Sequence, residues 1–287
     1  MGFTLSSVSP ILIEIGNSLS STPENAVLII SYFMFGGFFG RVAFPFLNTK
    51  FKRLTIILSS YIISIILFAM LIFLKSLTLF YVVYFFNGLV LSFTWMQAHT
   101  SMVESEIDNK DRVLLVGHMA HALSNILGPM TSTILVNEGV SWWYLYIIII
   151  VLIISNLIFF ILLRVKVDSF NPTKEDAIPL KNLFNNKKIN IYFLLTLIAN
   201  FLYVITEAII VTWAPTFFRL YRFFNIRDAG LILTLLWVGI ISGRVIVATF
   251  TNKIKAGYIL LILLLLSITS LLFVIIFKLD KIIELLK

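Results

Sequence analysis

Long apolar stretches separated by short polar turns are the feature that most limits what this chain can fold into. Each stretch has about 20 residues, which is the length an α-helix needs to cross a hydrocarbon core of about 30 Å. In lipid, every backbone N–H and C=O group must be paired within the chain, so these stretches are expected to be helices. The sequence contains eight of them, near residues 26–47, 54–74, 79–103, 112–136, 142–163, 191–217, 229–250 and 257–277.

The composition also favours a membrane environment over water. Hydrophobic residues make up 60% of the chain and charged residues only 13%, whereas soluble domains are about half apolar and about a quarter charged. The predicted fold class is therefore all-α, a multi-pass transmembrane helical bundle with the lipid bilayer as its partner. A shorter apolar segment, Gly2 to Ile15, precedes the full spans, and we interpret it as part of an incomplete first span.

The basic residues of the loops indicate how the bundle is oriented. Every second loop along the chain is rich in lysine and arginine, whereas the loops on the other side of the bundle hold only Lys75, Arg219, Arg222 and Arg227. By the positive-inside rule, the loops richer in lysine and arginine face the cytoplasm. This topology explains the net charge of +8 without a nucleic-acid partner. The predicted cytoplasmic loops are those at 48–54, 104–112, 164–190 and 251–257.

A tripeptide that occurs twice, 203 residues apart, suggests two similar halves. Gly40-Arg41-Val42 stands before one lysine-rich turn, and Gly243-Arg244-Val245 stands before another. The longest polar stretch lies between the two copies and contains Pro172 and Pro179, as expected of a linker. The predicted organisation is an N-terminal half, a cytoplasmic linker and a C-terminal half with three spans, at residues 1–163, 164–190 and 191–287.

With this repeat, the chain resembles the major facilitator superfamily. The signature turn of that superfamily corresponds here to Leu47–Arg53, with Asn48 in place of the usual acidic residue, and its second copy corresponds to Thr251–Lys255. The resemblance implies two six-span halves that carry a small polar solute by alternating access. Against that pattern, we expect the chain to be truncated at both ends.

A narrower resemblance, to the fucose–proton symporter group and its TsgA family, extends over the whole chain. It implies a multi-pass inner-membrane transporter and no particular substrate. The sugar–proton symporters of the group carry a carboxylate in span 4 where this chain has Phe93, so the proton-coupling step cannot be transferred to that position. The segments that carry the resemblance are Gly88–Glu104, Ile126–Met130, Trp142–Tyr146, Trp213-Ala214-Pro215 and Asp228-Ala229-Gly230.

Three predicted spans carry rows of polar residues at helical spacing. Residues three, four or seven positions apart share a helix face, and polar groups at membrane depth usually face the bundle interior or a cavity. The resemblance implies that spans 4 and 7 line the central cavity, with span 5 beside them. The alternative is ordinary hydrogen bonding between helices. The candidate transport-path residues are Thr94, Gln97, Ser101, His118, His121, Asn125, Asn200, Tyr203 and Glu207.

Glu207 and the histidine pair are the candidates for proton or metal chemistry. An isolated carboxylate in hydrocarbon is expected to stay protonated, so Glu207 could take up and release a proton; the alternative is a neutral acid bonded to a neighbouring helix. His118 and His121 have the spacing of a metal pair. Because a zinc site needs three or four protein ligands and His99 is the remaining histidine, we predict no metal and no cofactor.

The repeated segments also supply candidates for gating and helix packing. The resemblance implies that Arg41 and Arg244 pair across the cytoplasmic faces of the two halves; the alternative is that each side chain extends along apolar surface to the interface. The neighbouring glycines form small-xxx-small faces that permit close helix approach. The residues in this group are Gly36, Gly40, Arg41, Asn48, Gly239, Gly243 and Arg244.

Three functional hypotheses remain at this stage. The first is a secondary transporter of a small polar solute, with a sugar–proton symporter as a variant. The second is a truncated relic that does not transport. The third, a membrane enzyme, is disfavoured because the chain has no cysteine, no HExxH and no GxSxG motif.

Overall fold

Helices make up the regular structure of this computed structural model, which describes residues 2–103, 110–162, 191–250 and 256–276. The N-terminal segment forms α1 (Gly2–Val8), a single 3₁₀ turn (Ser9–Ile11) and α2 (Leu12–Ser18). The long helices that follow are α3 (Pro23–Lys50), α4 (Arg53–Phe73), α5 (Leu77–Val103), α6 (Lys110–Asn137), α7 (Tyr144–Leu162), α8 (Ile191–Tyr221), α9 (Ile226–Phe250) and α10 (Ala256–Ile276).

The all-α prediction is confirmed, because each of the eight apolar stretches corresponds to one of the helices α3 to α10. In the part of the chain that is described, six helices are long and apolar enough to cross a membrane: α3, α4, α5, α7 and most of α8 and α9. The helix α6 has the length but carries several polar residues, including His118, His121 and Asn125. α10 is 21 residues long and its sequence is strongly apolar as well.

The ends of two helices are fixed by side chains that cap them. Before α3, Thr22 accepts a hydrogen bond from the backbone N–H of Asn25 at 3.4 Å, and Pro23 opens the helix. Before α9, Asn225 accepts one from the N–H of Asp228 at 2.8 Å. Both caps pair backbone donors that the first turn of a helix leaves open.

The N-terminal segment is the most deeply buried part of the structure. Ile11, Leu12 and Ile15 are completely inaccessible, and Val8 is 1% exposed. The segment packs mainly against α3, α6 and α8. Although it was interpreted as an incomplete span, it therefore forms the centre around which these helices gather.

Close backbone approach joins α3 and α5, the most extensively packed pair of helices. A Cβ atom added to Gly36 would collide with the carbonyl oxygen of Phe85, and one added to Gly88 would collide with that of Phe33. Glycine on both sides thus lets the two backbones meet, as small residues do in membrane bundles.

An aromatic cluster ties α5 to α4 and α7. The hydroxyl groups of Tyr84 and Tyr146, both buried, lie 2.8 Å apart and share a hydrogen bond. The rings of Phe68 and Phe80 stack on them. This pair satisfies two polar groups that would otherwise be costly in an apolar interior.

The chain divides into two compact units, residues 1–237 and 238–287. The first contains α1 to α8 and the first part of α9. The second contains the remainder of α9 and α10, whose Leu261 and Leu265 are each 53% exposed. The linker predicted at 164–190 lies outside the described residues, and the predicted halves remain an expectation.

Candidate functional site

A cavity of about 410 Å³ lies within the first unit, between α1, α3, α5, α6, α8 and α9. It has the size of a small-molecule site. Much of its wall is apolar, from side chains of α3, α5, α8 and α9. These are Phe33, Met34, Trp95, Val204, Ile205, Val211 and Trp237.

Four polar side chains enter this wall from three helices. Arg41 comes from α3, His121 and Asn125 from α6, and Glu207 from α8. At a rise of about 1.5 Å per residue, Arg41 stands about 13 Å from the end of α3 and Glu207 about 21 Å from the end of α8. Both ionisable groups therefore lie well inside their helices and not at the ends.

Two residues that line the cavity, Asn125 and Trp237, each have a buried hydrogen-bond donor that is unsatisfied in the described structure. Asn125 is 2% exposed and Trp237 is 5% exposed. Among the described residues, neither the Asn125 Nδ2 atom nor the Trp237 Nε1 atom has a partner. Buried donors usually find a partner, so these two atoms stand out in an otherwise largely apolar part of the lining.

Trp95 lies at the centre of a cluster with the three histidines. Its ring centroid is 4.5 Å from that of His121 and 6.4 Å from those of His99 and His118. His99 and His118 are 5.7 Å apart by ring centroids. Across the described ranges, no group of three or more metal-ligating side chains could hold a metal ion.

The three residues of the predicted polar row on span 4 have different surroundings in the structure. Thr94 lines a second cavity, of about 560 Å³, and donates to the carbonyl of Leu91 at 2.8 Å. Gln97 is completely buried, and its two amide atoms have no partner among the described residues. Ser101 is partly buried. None of the three is among the residues that line the first cavity.

The predicted polar rows on α6 and α8, unlike the row on span 4, supply residues that line the first cavity. His121 and Asn125 line the first cavity, whereas His118 is not among the lining residues and lies beside Trp95, with ring centroids 6.4 Å apart. On α8, Glu207 lines the cavity whereas Tyr203 is 51% exposed. The side chain of Asn200 lies outside the part that is described.

The repeated segments differ in their surroundings. Arg41 lines the cavity, and a Cβ added to Gly40 would collide with Ser92 and the Leu89 carbonyl. Arg244 is exposed, and within the described ranges nothing lies within 4 Å of a Cβ added to Gly243.

The signature-turn residue Asn48 is partly buried. Its Oδ1 atom is buried without a partner among the described residues.

An ion pair joins the N-terminal segment to α8. The guanidinium of Arg219 donates to both carboxylate oxygens of Glu14, at 2.6 and 2.8 Å, and to the Pro10 carbonyl at 3.0 Å. Nearby, the Ser9 hydroxyl is 2.7 Å from the Val211 carbonyl, to which it donates. Arg219 is one of the few basic residues predicted on the side opposite to the cytoplasm, and its pairing with Glu14 supplies a reason for this position.

Sequence reasoning missed three parts of this arrangement. It did not single out Trp95 or Trp237, and it treated Arg41 as a gating residue only. A signal was present for the tryptophans, because both stand well inside helices and not at the ends where interfacial tryptophans concentrate. For the pairing of Glu14 with Arg219 there was none, since the two are 205 residues apart.

Comparison with known proteins gives two matches. The family model of the Major Facilitator Superfamily matches residues 1–283. The Protein TsgA homolog of Buchnera aphidicola subsp. Schizaphis graminum (strain Sg) is 24% identical over 185 residues, which are 64% of this chain and 46% of that protein. The chain thus spans less than half of the length of this curated relative. No solved structure matches at a significant level.

Proposed function

The chain belongs to the major facilitator superfamily, and on that premise we propose that it is a membrane transporter that moves a small polar solute by alternating access. The observation that carries this proposal is the 410 Å³ cavity, which combines Arg41, His121, Asn125 and Glu207 with an apolar wall. Polar groups at membrane depth are costly and are retained where they serve a solute or ion pathway. Enzymatic activity is not part of the proposal.

The contacts between the N-terminal segment and α8 support a closed outer side. Glu14 and Arg219 lie near the ends of α2 and α8, which the basic-residue distribution assigns to the outside. The Glu14–Arg219 pair and the Ser9 hydrogen bond hold these ends together. We propose that they open and close during transport, while the loops at 48–54, 104–112, 164–190 and 251–257 remain cytoplasmic.

Proton coupling is assigned to the cavity and not to the span-4 position. Phe93 cannot carry a proton and is not among the residues that line the cavity. Glu207 does line it and can bind a proton. Transport of a sugar with a proton is therefore the less favoured variant.

Reconstitution of the full chain in proteoliposomes tests the proposal. Uptake of labelled sugars, amino acids, organic acids and amines would be compared with that into protein-free liposomes. We expect saturable uptake of at least one solute, and we expect uptake to respond to an imposed pH gradient. A folded protein that moves none of the panel would contradict the transporter assignment.

The Glu14→Gln variant tests the role of the outer contact. Removing one partner leaves the guanidinium of Arg219 without its carboxylate, so the closed outer side loses stability. We expect faster labelling of a cysteine introduced at Val211, measured with a membrane-impermeant thiol reagent added from outside. The matched control is Glu138→Gln, which removes an exposed carboxylate that is not among the residues of this contact. Equal labelling of both variants would contradict the proposed opening.

A further inference from the structure

Arg41 gives the cavity a cationic donor that fits an anionic group. Its guanidinium has five N–H donors and no acceptor. Asn125 and Trp237 also line the cavity, and their Nδ2 and Nε1 atoms lie buried beneath its surface without a partner among the described residues. A carboxylate is an acceptor-only group, and a guanidinium can bind both of its oxygens.

Opposite charges share the cavity without pairing. Arg41 and Glu207 both line it, yet they form no ion pair in the described part of the chain. The titratable side chains in the lining are Arg41 from α3, His121 from α6 and Glu207 from α8; α1, α5 and α9 contribute none. Arginine remains charged at any physiological pH, so with a neutral His121 the net charge of the lining depends on whether Glu207 holds a proton.

From these placements we propose that the solute is a small organic carboxylate with an apolar body, bound by Arg41 and carried together with one proton on Glu207. This inference rests on the proposed transport function and names its substrate class. The apolar body packs against Phe33, Met34, Trp95 and Trp237, which make up much of the wall.

The requirement for charge neutrality couples the movement of the solute to that of the proton. A closed cavity of low dielectric penalises any net charge. The empty cavity is neutral when Glu207 is ionised opposite Arg41. The loaded cavity is neutral when Arg41 faces the solute carboxylate and Glu207 holds a proton.

The two half-loaded states each carry a net charge. A proton without solute leaves the charge of Arg41 uncompensated, and solute without a proton leaves two negative charges against one positive. Closure is therefore favoured only for the empty and the fully loaded cavity. The consequence is one proton per carboxylate and no net movement of charge across the membrane.

Binding to the purified full chain tests the recognition of the carboxylate. The probes are 3-phenyllactate, its neutral amide and the zwitterion phenylalanine, with tryptophan fluorescence as the readout because Trp95 and Trp237 line the cavity. We expect phenyllactate to bind at least tenfold more tightly than the amide. Tighter binding of phenylalanine that is lost in Glu207→Gln would overturn the proposal in favour of a zwitterion.

Variants of Arg41 test whether this side chain binds the carboxylate of the solute. We expect Arg41→Gln to weaken phenyllactate binding at least tenfold and Arg41→Lys to restore part of it. The matched control, Lys75→Gln, removes the same charge from an exposed position and is expected to leave the affinity unchanged. Circular dichroism checks that each variant is folded. A folded Arg41→Gln protein with unchanged affinity would overturn the assignment.

Flux in proteoliposomes tests the coupling to the proton. We expect phenyllactate uptake to bring in one proton per solute and to be insensitive to a valinomycin-imposed potential. Glu207→Gln should keep exchange of internal for external phenyllactate and lose uptake driven by a pH gradient, whereas Glu138→Gln, at an exposed carboxylate that does not line the cavity, should keep both. The reverse pattern would overturn the role of Glu207.

The panel separates this inference from the function it rests on. Uptake of a neutral solute such as fucose, without binding or uptake of phenyllactate, would overturn the carboxylate and leave the transporter intact. Absence of flux for every solute would contradict transport itself.

Discussion

The two copies of the Gly-Arg-Val segment have the same sequence and different surroundings. In the first copy, Gly36 lies against the backbone of α5, where an added Cβ would collide with the Phe85 carbonyl. Its equivalent in the second copy is Gly239, and within the described ranges nothing lies within 4 Å of a Cβ there. Gly40 and Gly243 differ in the same way.

The difference shows that a small-residue face acquires its energetic role from the helix it meets. α5 supplies Gly88 at the contact with α3, so that glycines from both helices permit one close approach. Repetition of the motif therefore predicts an equivalent position in the chain but not an equivalent contribution to stability. The contrast can be tested by placing the same change in both copies.

The largest effect is expected for Gly36→Leu. The leucine side chain would enter space held by the Phe85 backbone and force α3 and α5 apart, at a cost of about 3 kcal/mol of folding free energy. Gly239→Leu adds the same atoms where there is room and is expected to cost less than about 0.5 kcal/mol. Unfolding by sodium dodecyl sulfate, followed by circular dichroism, measures both. Equal destabilisation would remove the contrast.

The arginines provide the next comparison. Both side chains are exposed, but Arg41 lines the cavity and Arg244 is not among the lining residues. We expect Arg41→Gln to weaken solute binding by at least about tenfold, equal to about 1.4 kcal/mol, and Arg244→Gln to change it less than twofold. If both variants bind normally and both slow transport, the arginines act as a gate and not as a solute anchor. Equilibrium binding and initial uptake rates distinguish these outcomes.

The smallest effect concerns two tyrosine hydroxyls. Tyr146→Phe removes the buried hydrogen bond between the two hydroxyl groups and leaves that of Tyr84 without this partner. The change should cost about 1 kcal/mol of folding free energy. The control is Tyr258→Phe in α10, in the second compact unit, where the side chain is 63% exposed and no measurable change is expected. A loss at Tyr258 as large as that at Tyr146 would contradict the view that burial of the hydroxyl pair sets the cost. The same detergent titration gives both values.

The sequence predicted the helices better than it predicted the site. Helix positions follow from one physical condition, that backbone polar groups in lipid must be paired within the helix. Helix rotation depends instead on packing between distant segments. The row of Tyr203 and Glu207 illustrates this, because Glu207 lines the cavity and Tyr203, one turn earlier, is 51% exposed.

The residues that sequence reasoning missed share a dependence on long-range contacts. Arg219 pairs with Glu14, which is 205 residues away in the chain, and the ring of Trp95 lies beside histidines of both α5 and α6. Local spacing contains no information about either pairing. The spacing of His121 and Asn125 on α6 did predict two side chains that line one cavity, because neighbours on one helix face need no tertiary information.

The 3₁₀ turn at Ser9–Ile11 makes the N-terminal segment and α8 a mechanical unit. A break in a membrane helix leaves carbonyl groups that its own turns do not satisfy, and here Arg219 occupies the Pro10 carbonyl while its other contact holds Glu14 beyond the break. The guanidinium thus ties the turn and the first turn of α2 to the end of α8. Because α8 also carries Glu207, a displacement of the turn would pull on the helix that lines the cavity.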